Sequence, residues 1–350
     1  MLKAVILGID NFSRKNIKQI EYMNRYNISF DIFTNNSLGD SQINIPRGNK
    51  VYILKKSILS RLFQILGYLL KEHKNITHVE VYPGGRFAVI YIILSKLFGK
   101  KVVLVERGDV VNLDTYNKLL QFSAKWSYKF ADIVWYREFY MKRKLEIFKA
   151  KRLFFLSNCI QIPNITNSHL QEKVFDFLWV NRLIPQRKSN WFIDVINERE
   201  FISTYNAMLG IINDIEDKLT IENQQYAESN KSKNLIIENY INPTEYYLNS
   251  KFFVLPSDIV FCNNALLEAM SYGVVPLVSD VEGARLIVDD GINGFIFEHS
   301  KEGLREAMIR ALNLSEEQYE AMSHNAIAKV KREFDYEIWG QKLLNLYMSI

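Results

Sequence analysis

Cysteine is nearly missing from this 350-residue chain, which has only Cys159 and Cys262, far apart and in unrelated contexts. That excludes a disulfide scaffold and a cysteine-rich metal site, and it suits a reducing cytoplasm. Histidine is also scarce. The five residues His73, His78, His169, His299 and His324 show no ligand spacing, and no Asp-x-Asp pair is present, so no metal site is expected. The longest apolar run, Phe87 to Leu94, is far short of the about 20 residues a membrane-spanning helix needs. The opening Met-Leu-Lys-Ala-Val-Ile-Leu-Gly-Ile-Asp lacks a small-residue cleavage site and reads as a first strand, not a signal peptide. With 48% hydrophobic and 24% charged residues the chain is neither disordered nor collagen-like.

What is present is an uneven charge. Residues 1–174 hold 28 basic and 13 acidic residues, whereas the remainder holds 16 and 26, so a half of +15 adjoins one of −10. A basic half attracts anions such as a phosphorylated acceptor or an anionic membrane surface. The aromatics form no stacking motif of the kind that binds nucleic acid, so nucleic acid is not an expected partner.

Short β-branched runs alternate with longer amphipathic ones. Lys3–Ile9, Ser29–Thr34, Lys50–Leu54, His78–Tyr82, Lys101–Glu106, Asp132–Tyr136 and Arg152–Leu156 read as strands. Lys15–Tyr26, Ser57–Glu72, Arg86–Leu97 and Leu113–Phe130 read as the helices between them. This alternation predicts βαβ units and a parallel sheet covered on both faces. After a polar stretch at Pro163–Ser168 a second series begins with Val174–Val180 and continues through Ala207–Ile212, Asn234–Glu238, Phe252–Leu255, Val275–Ser279 and Gly294–Phe297. The expected architecture is α/β, with two doubly wound Rossmann-like domains facing a cleft. The boundaries fall at 1–168, 169–335 and a closing helix over 336–350 that crosses back. In such sheets ligands bind beyond the carboxyl ends of the strands.

The helix over Ser57–Glu72 carries a leucine stripe and a basic rim. The leucines are assigned to packing on the sheet, which explains such a stripe by itself. The cations, with Lys142-Arg143-Lys144, are assigned to an anionic membrane surface.

The most specific stretch is Phe253-Val254-Leu255-Pro256-Ser257, then Asn264-Ala265-Leu266-Leu267-Glu268-Ala269-Met270-Ser271-Tyr272-Gly273, then Val275–Asp280, Gly283-Ala284-Arg285 and Asp290–Phe295. It spells strand, loop, helix, glycine stop, strand and glycine-containing loop. Asn263 or Asn264 can cap the helix, whose free N–H groups make an anion site. Glu268 lies a turn further in, placed to accept bonds from a ribose diol.

These residues resemble family 4 of the glycosyltransferases, retaining enzymes of GT-B fold. Glu268 to Gly273 matches the end of the family's Glu-x7-Glu segment, and Asn181-Arg182-Leu183 to Lys188 is similar to its Gly-Arg-Leu-…-Lys segment. Glu238 to Tyr247 resembles the turn beside the nucleotide base, and the clear likeness covers 175–350. The resemblance implies a donor site of Arg182, Arg187, Lys188, Tyr240, Asn263, Asn264, Ala265, Leu266 and Glu268. Cations there would neutralise the leaving diphosphate. Arg182 is one; either Arg187 or Lys188 fits as the second, with a slight preference for Lys188. The donor would be a nucleotide sugar, a UDP-sugar first and a GDP-sugar second, with no further cofactor. Two family glutamates are replaced, by Val260 and Leu286.

In the first half, the turn holding Gly84, Gly85 and Arg86 is either a plain strand-to-helix turn or a phosphate holder. Arg107 falls near the family's histidine beside the transferred sugar, which makes it a catalytic candidate. Glu106 and Asp109 either orient an acceptor hydroxyl or serve as a cap and an ion pair. The implied activity is retaining, metal-independent transfer of a hexose or N-acetylhexosamine to a lipid-linked or polysaccharide acceptor at the cytoplasmic face of the membrane. The alternative is a non-catalytic GT-B partner subunit, which the two replaced glutamates motivate.

Overall fold

The computed structural model describes residues 2–9, 14–34, 45–82, 87–108, 110–111, 113–164, 173–211, 218–239, 242–260 and 262–350. The chain forms two compact units. One is Met1–Ser157 with Trp339–Ile350, and the other is Asn158–Ile338.

The first unit runs β1 (Leu2–Ile9), α1 (Arg14–Asn24), β2 (Ile28–Thr34), β3 (Lys50–Ile53), α2 (Ile58–Glu72), β4 (Ile76–Val81), α3 (Ala88–Leu97), β5 (Lys101–Glu106), α4 (Lys118–Phe130), β6 (Ile133–Tyr136), α5 (Met141–Ile147) and β7 (Leu153–Phe155). Its strands form a parallel sheet in the order β3-β2-β1-β4-β5-β6-β7. Ala4 to Ile9 and every residue of β2 are buried, as strands covered on both faces must be. Helix α4 is shorter than the run Leu113–Phe130 suggests. Asn117, in an extended conformation, accepts a hydrogen bond from the Leu120 N–H and restarts the helix after a separate turn at Leu113–Thr115. Helix α5 was not expected; seven residues are too few to show a period of 3.6.

Helix α2 corrects a second expectation. Ser57 caps it as a helix of the predicted length, but only Ile65 and Leu69 are buried against the sheet. Leu59, Phe63 and Leu70 lie on its exposed side. The apolar arc is wider than the inner face, so packing on the sheet accounts for only part of the leucine stripe.

The second unit runs β8 (Phe175–Arg182), α6 (Ser189–Ile196), β9 (Asn206–Ile211), α7 (Lys218–Ser229), β10 (Leu235–Asn239), α8 (Thr244–Leu248), β11 (Ser250–Leu255), α9 (Asn264–Ser271), β12 (Val275–Ser279), α10 (Ala284–Ile287), β13 (Phe295–Phe297), α11 (Lys301–Leu312) and α12 (Glu316–Glu333). Its parallel sheet is ordered β10-β9-β8-β11-β12-β13. The last helix, α13 (Tyr336–Met348), starts in this unit and ends in the first. There Gly340 lies against the Tyr22 ring of α1, where any side chain would collide with it.

Both sheets wind outward in two directions from a central pair, β1 and β4 in the first unit and β8 and β11 in the second. At such a switch point neighbouring connections leave on opposite faces and open a crevice at the carboxyl ends of the strands. Those two ends are where the candidate residues gather.

Candidate functional site

In the second unit the crevice is built from three loops. The first follows β8. Asn181 is buried and Arg182, the last strand residue, is exposed. Leu183 then turns inward over Gly210 of β9, where a Cβ would stand 2.8 Å from the leucine methyl. A turn over Pro185–Arg187 leads to Lys188, which adopts the left-handed conformation at φ 47°, ψ 43°. A lysine there carries strain of order 1 kcal/mol. The kink sends the two neighbouring cations apart.

Arg187 goes inward and is 5% exposed. Its Nη1 donates to the Ile259 carbonyl at 3.1 Å, while its Nε is buried without a hydrogen-bond partner. Burial pushes its pKa down to about 10; the positive charge of Arg182 adds to the shift, and Asp258 opposes it. Arg182 makes no ion pair to a described residue. The cost here is that of burying the Arg187 charge, and an anion would relieve it. Lys188 goes the other way. Its Nζ is 3.0 Å from Asp258 Oδ1 and lies 5.5 Å from the centre of the Trp191 ring.

The second loop follows β11. The Asp258 N–H donates to the Gln186 carbonyl at 2.9 Å, tying this loop to the first. Asp258 Oδ1 also meets His299 Nε2 at 3.0 Å, just beyond β13. Val260, at the place of a family glutamate, lies in the apolar core. Its N–H bonds the Glu282 carbonyl at 3.1 Å. Gly283, at φ 93°, passes so close to the Val260 carbonyl that no Cβ fits. Leu286 packs against the same core.

The third element is α9. Asn263 caps it, its Oδ1 accepting from the Leu266 N–H at 3.2 Å. Leu266 puts its side chain in the core, and Ala265 is half-buried. Asn264 Oδ1 is buried without a partner. Glu268 is half-buried one turn in, with Tyr247 donating to its Oε2 at 3.5 Å. Unpartnered buried polar atoms gather at these strand ends: Asn181 Nδ2, Arg187 Nε, Ser257 Oγ, Asn264 Oδ1, Ser279 Oγ and His299 Nδ1. Native interiors leave few such atoms, and their concentration marks a place built for a polar ligand. The grouping of Lys188 with Asp258, Trp191 and His299 escaped the sequence reading, since the last three come from two loops and the start of α6 and share no spacing.

In the first unit, Glu106 ends β5 and is fully engaged. Its Oε1 accepts from the Gly108 and Val110 N–H groups at 2.7 and 3.2 Å, and its Oε2 from the Tyr128 hydroxyl at 2.6 Å. The sequence left it either an acceptor-orienting role or an ion pair; these hydrogen bonds anchor the loop after β5 instead. Arg107 lies 4.3 Å from the centre of the Tyr82 ring and donates to Asn16 Oδ1 at 3.2 Å, with a buried Nε that finds no partner. It therefore stands at the switch point of β1 and β4, beside the ends of both strands. Beneath it Glu80 accepts from Gln19 at 2.9 Å and from Tyr347 of α13. Burial raises the Glu80 pKa, while Tyr347, Gln19 and the nearby Arg107 and Arg137 hold it down. Gly84, Gly85, Arg86, Asp109 and Tyr240 lie outside the described residues. Among the described residues no group of His, Cys, Asp and Glu is arranged to hold a metal ion, and no helix is long and apolar enough to cross a membrane.

Residues 161–329, which include the whole second sheet, match the family described as Glycosyl transferases group 1. A UDP-Gal:alpha-D-GlcNAc-diphosphoundecaprenol alpha-1,3-galactosyltransferase of Escherichia coli is 26% identical over 333 residues, covering 83% of this chain and 80% of that protein. A glycogen synthase of Vibrio parahaemolyticus is 24% identical over 191 residues, 52% of this chain but only 39% of the synthase. Among solved structures, Anabaena HepE in complex with UDP superposes with a TM-score of 0.80 at 14% identity, covering 100% of both chains, and so shares the fold. The family pattern and the two sheets agree: residues 161–329 are those of a group 1 glycosyl transferase, and the chain is a retaining sugar transferase of GT-B fold.

Proposed function

We propose that this enzyme takes a hexose or N-acetylhexosamine from a UDP-sugar and transfers it to a sugar carried on a polyprenyl diphosphate, at the cytoplasmic face of a membrane. The observation that carries the donor half is Arg187: a nearly buried guanidinium with an orphaned Nε, beside the exposed Arg182. Arg182 and Arg187 hold the diphosphate, since paired guanidinium groups grip phosphate oxygens bidentately and stabilise the charge that grows as it leaves. Between the two cations that the sequence left open, the choice falls on Arg187, the one that is buried with an unpartnered Nε. Lys188 is committed to Asp258 and shapes the loop instead.

The N–H groups of Asn264 and Ala265, in the first turn of α9, add to the phosphate site. Glu268 accepts the ribose hydroxyls. In the transfer the bond from the sugar's anomeric carbon to the diphosphate oxygen breaks. A bond to the acceptor oxygen forms on the same face, and the acceptor proton passes to a leaving phosphate oxygen. Retention by this route requires no protein nucleophile. To Arg107, held by Asn16 and Tyr82 in the first unit, falls the task of steadying the transferred sugar or the acceptor. The choice of UDP and of a lipid-linked acceptor is supported by the printed activity of the Escherichia coli relative and by the UDP held in Anabaena HepE.

The test is transfer itself. The protein is incubated with UDP-galactose, UDP-glucose, UDP-N-acetylglucosamine or GDP-mannose and a GlcNAc-diphosphate lipid. A disaccharide lipid and free UDP are expected from one UDP-sugar, with loss of product in Arg187→Ala. Product from GDP-mannose alone would replace the nucleotide. No product from any donor, with UDP still bound, would restore the non-catalytic partner reading.

A further inference from the structure

Helices α2, α3 and α4 bury their inner sides in one core over a single face of the first sheet, through Ile65 and Leu69, Ala88 and Ile92, and Tyr128. Their outer sides therefore form one layer facing away from that sheet. Helices α2 and α3 meet near both ends of α3, with the Arg61 guanidinium 5.1 Å from the Phe87 ring centre and His73 5.6 Å from Phe98. The outer side is unusually apolar. Leu59, Phe63 and Leu70 on α2, Leu97 on α3, and Leu119 and Phe122 on α4 are each between 58% and 75% exposed. On α4 the ring of Trp126 continues the patch, 5.8 Å from Phe122, with Lys129 Nζ 4.7 Å above it.

The charge carried by these three helices is nearly all of one sign. Helices α3 and α4 contain no acidic residue, and the only one in α2, Glu72, is paired with Lys3 at 3.3 Å. Lys55 and Lys56 precede α2, Lys71 and Lys74 close it, and α4 carries Lys118, Lys125 and Lys129. A second copy of the chain docked face to face here would set lysine against lysine. A bilayer with anionic headgroups suits both features, taking leucine and aromatic side chains at the acyl boundary while lysine stems reach the phosphates.

We infer that the outer face of α2, α3 and α4 is a docking surface for an anionic lipid bilayer. The inference rests on the reading that the acceptor is lipid-linked, and it assigns the approach to that lipid to this layer of the first unit. Flotation with vesicles of phosphatidylcholine, alone or mixed with phosphatidylglycerol, tests it in the full chain. Three variants are compared with wild type: Leu59→Ser with Phe63→Ser, Leu119→Ser with Phe122→Ser, and Arg187→Ala. These four apolar side chains are exposed, so their replacement leaves the fold intact, and unchanged circular dichroism checks that.

Wild type and Arg187→Ala should float with the anionic vesicles only, and salt should release them. Each double-serine variant should partition about tenfold more weakly while binding UDP as wild type does. Failure of wild type to float with anionic vesicles would overturn the inference, as would double-serine variants that float equally well. A wild-type dimer that the serine changes convert to monomer, with no vesicle binding, would make the face a contact between copies and likewise overturn it. Flotation without any UDP binding would leave this surface standing and sink the donor reading instead.

Discussion

Arg187 and Lys188 are adjacent in the chain and chemically alike, and nothing in the sequence says which one turns inward. The left-handed backbone at Lys188 decides it, and such a conformation has no signature in a lysine. A cation held inward for a ligand costs stability when the ligand is absent. Arg187→Met should therefore leave urea stability unchanged or raise it by up to about 1 kcal/mol, while donor binding collapses. A stability loss above about 2 kcal/mol would instead make Arg187 a structural residue. In the first unit, burial pushes the His78 pKa down to about 4, and its Nε2 has no partner. The unfolded chain then binds the proton more tightly, so His78 lowers stability as the pH falls from 6.5 toward 4. The full effect is about 3 kcal/mol. Denaturant titrations of wild type and His78→Gln across that window should show it as a difference in slope. Glu80 titrates in both proteins and drops out of the comparison. Parallel curves would show that His78 already takes up its proton in the folded state.

At the scale of elements, the crevice depends on loops that cross within van der Waals reach. Gly283 is the clearest case, since its φ of 93° and the Val260 carbonyl against it leave no room for a side chain. Gly283→Ala should cost at least about 2 kcal/mol in denaturant unfolding. It should also weaken UDP binding, because the loop it displaces carries Asp258 and leads into the cap of α9. A variant as stable as wild type would show that this loop yields. The strands and most helices were legible in the sequence because each is a run with its own period, and parallel strands buried on both faces read as continuous apolar stretches. The short α5 and the break before α4 were not legible, since one depends on tertiary packing and the other on a single asparagine cap. The α9 segment could be placed because cap, helix and glycine stop are contiguous. The Lys188, Asp258 and His299 group could not, because its members meet only after folding. The leucines of α2 were assigned only partly right for the same reason: periodicity shows that a helix has an apolar arc but not how much of the arc the sheet covers.

For the protein as a whole, the proposed donor and membrane sites would give the charge division of the sequence a division of labour. The residues proposed to bind the donor all lie in the second unit, and the lysine-rimmed apolar layer lies in the first. Hydrogen exchange with and without UDP should accordingly show protection in the Arg182–Ser189 loop and the first turn of α9, and none in the outer turns of α2 and α4. Protection spread evenly over both units would contradict that division. Titration calorimetry with UDP in the presence of EDTA decides whether Arg182 and Arg187 form the diphosphate site. Wild type should bind UDP without metal. Arg182→Ala with Arg187→Ala should bind about a hundredfold more weakly or not at all, since two charge-assisted bonds to phosphate are removed. Equal affinity in the two proteins, or a wild type that binds no UDP, would contradict the account.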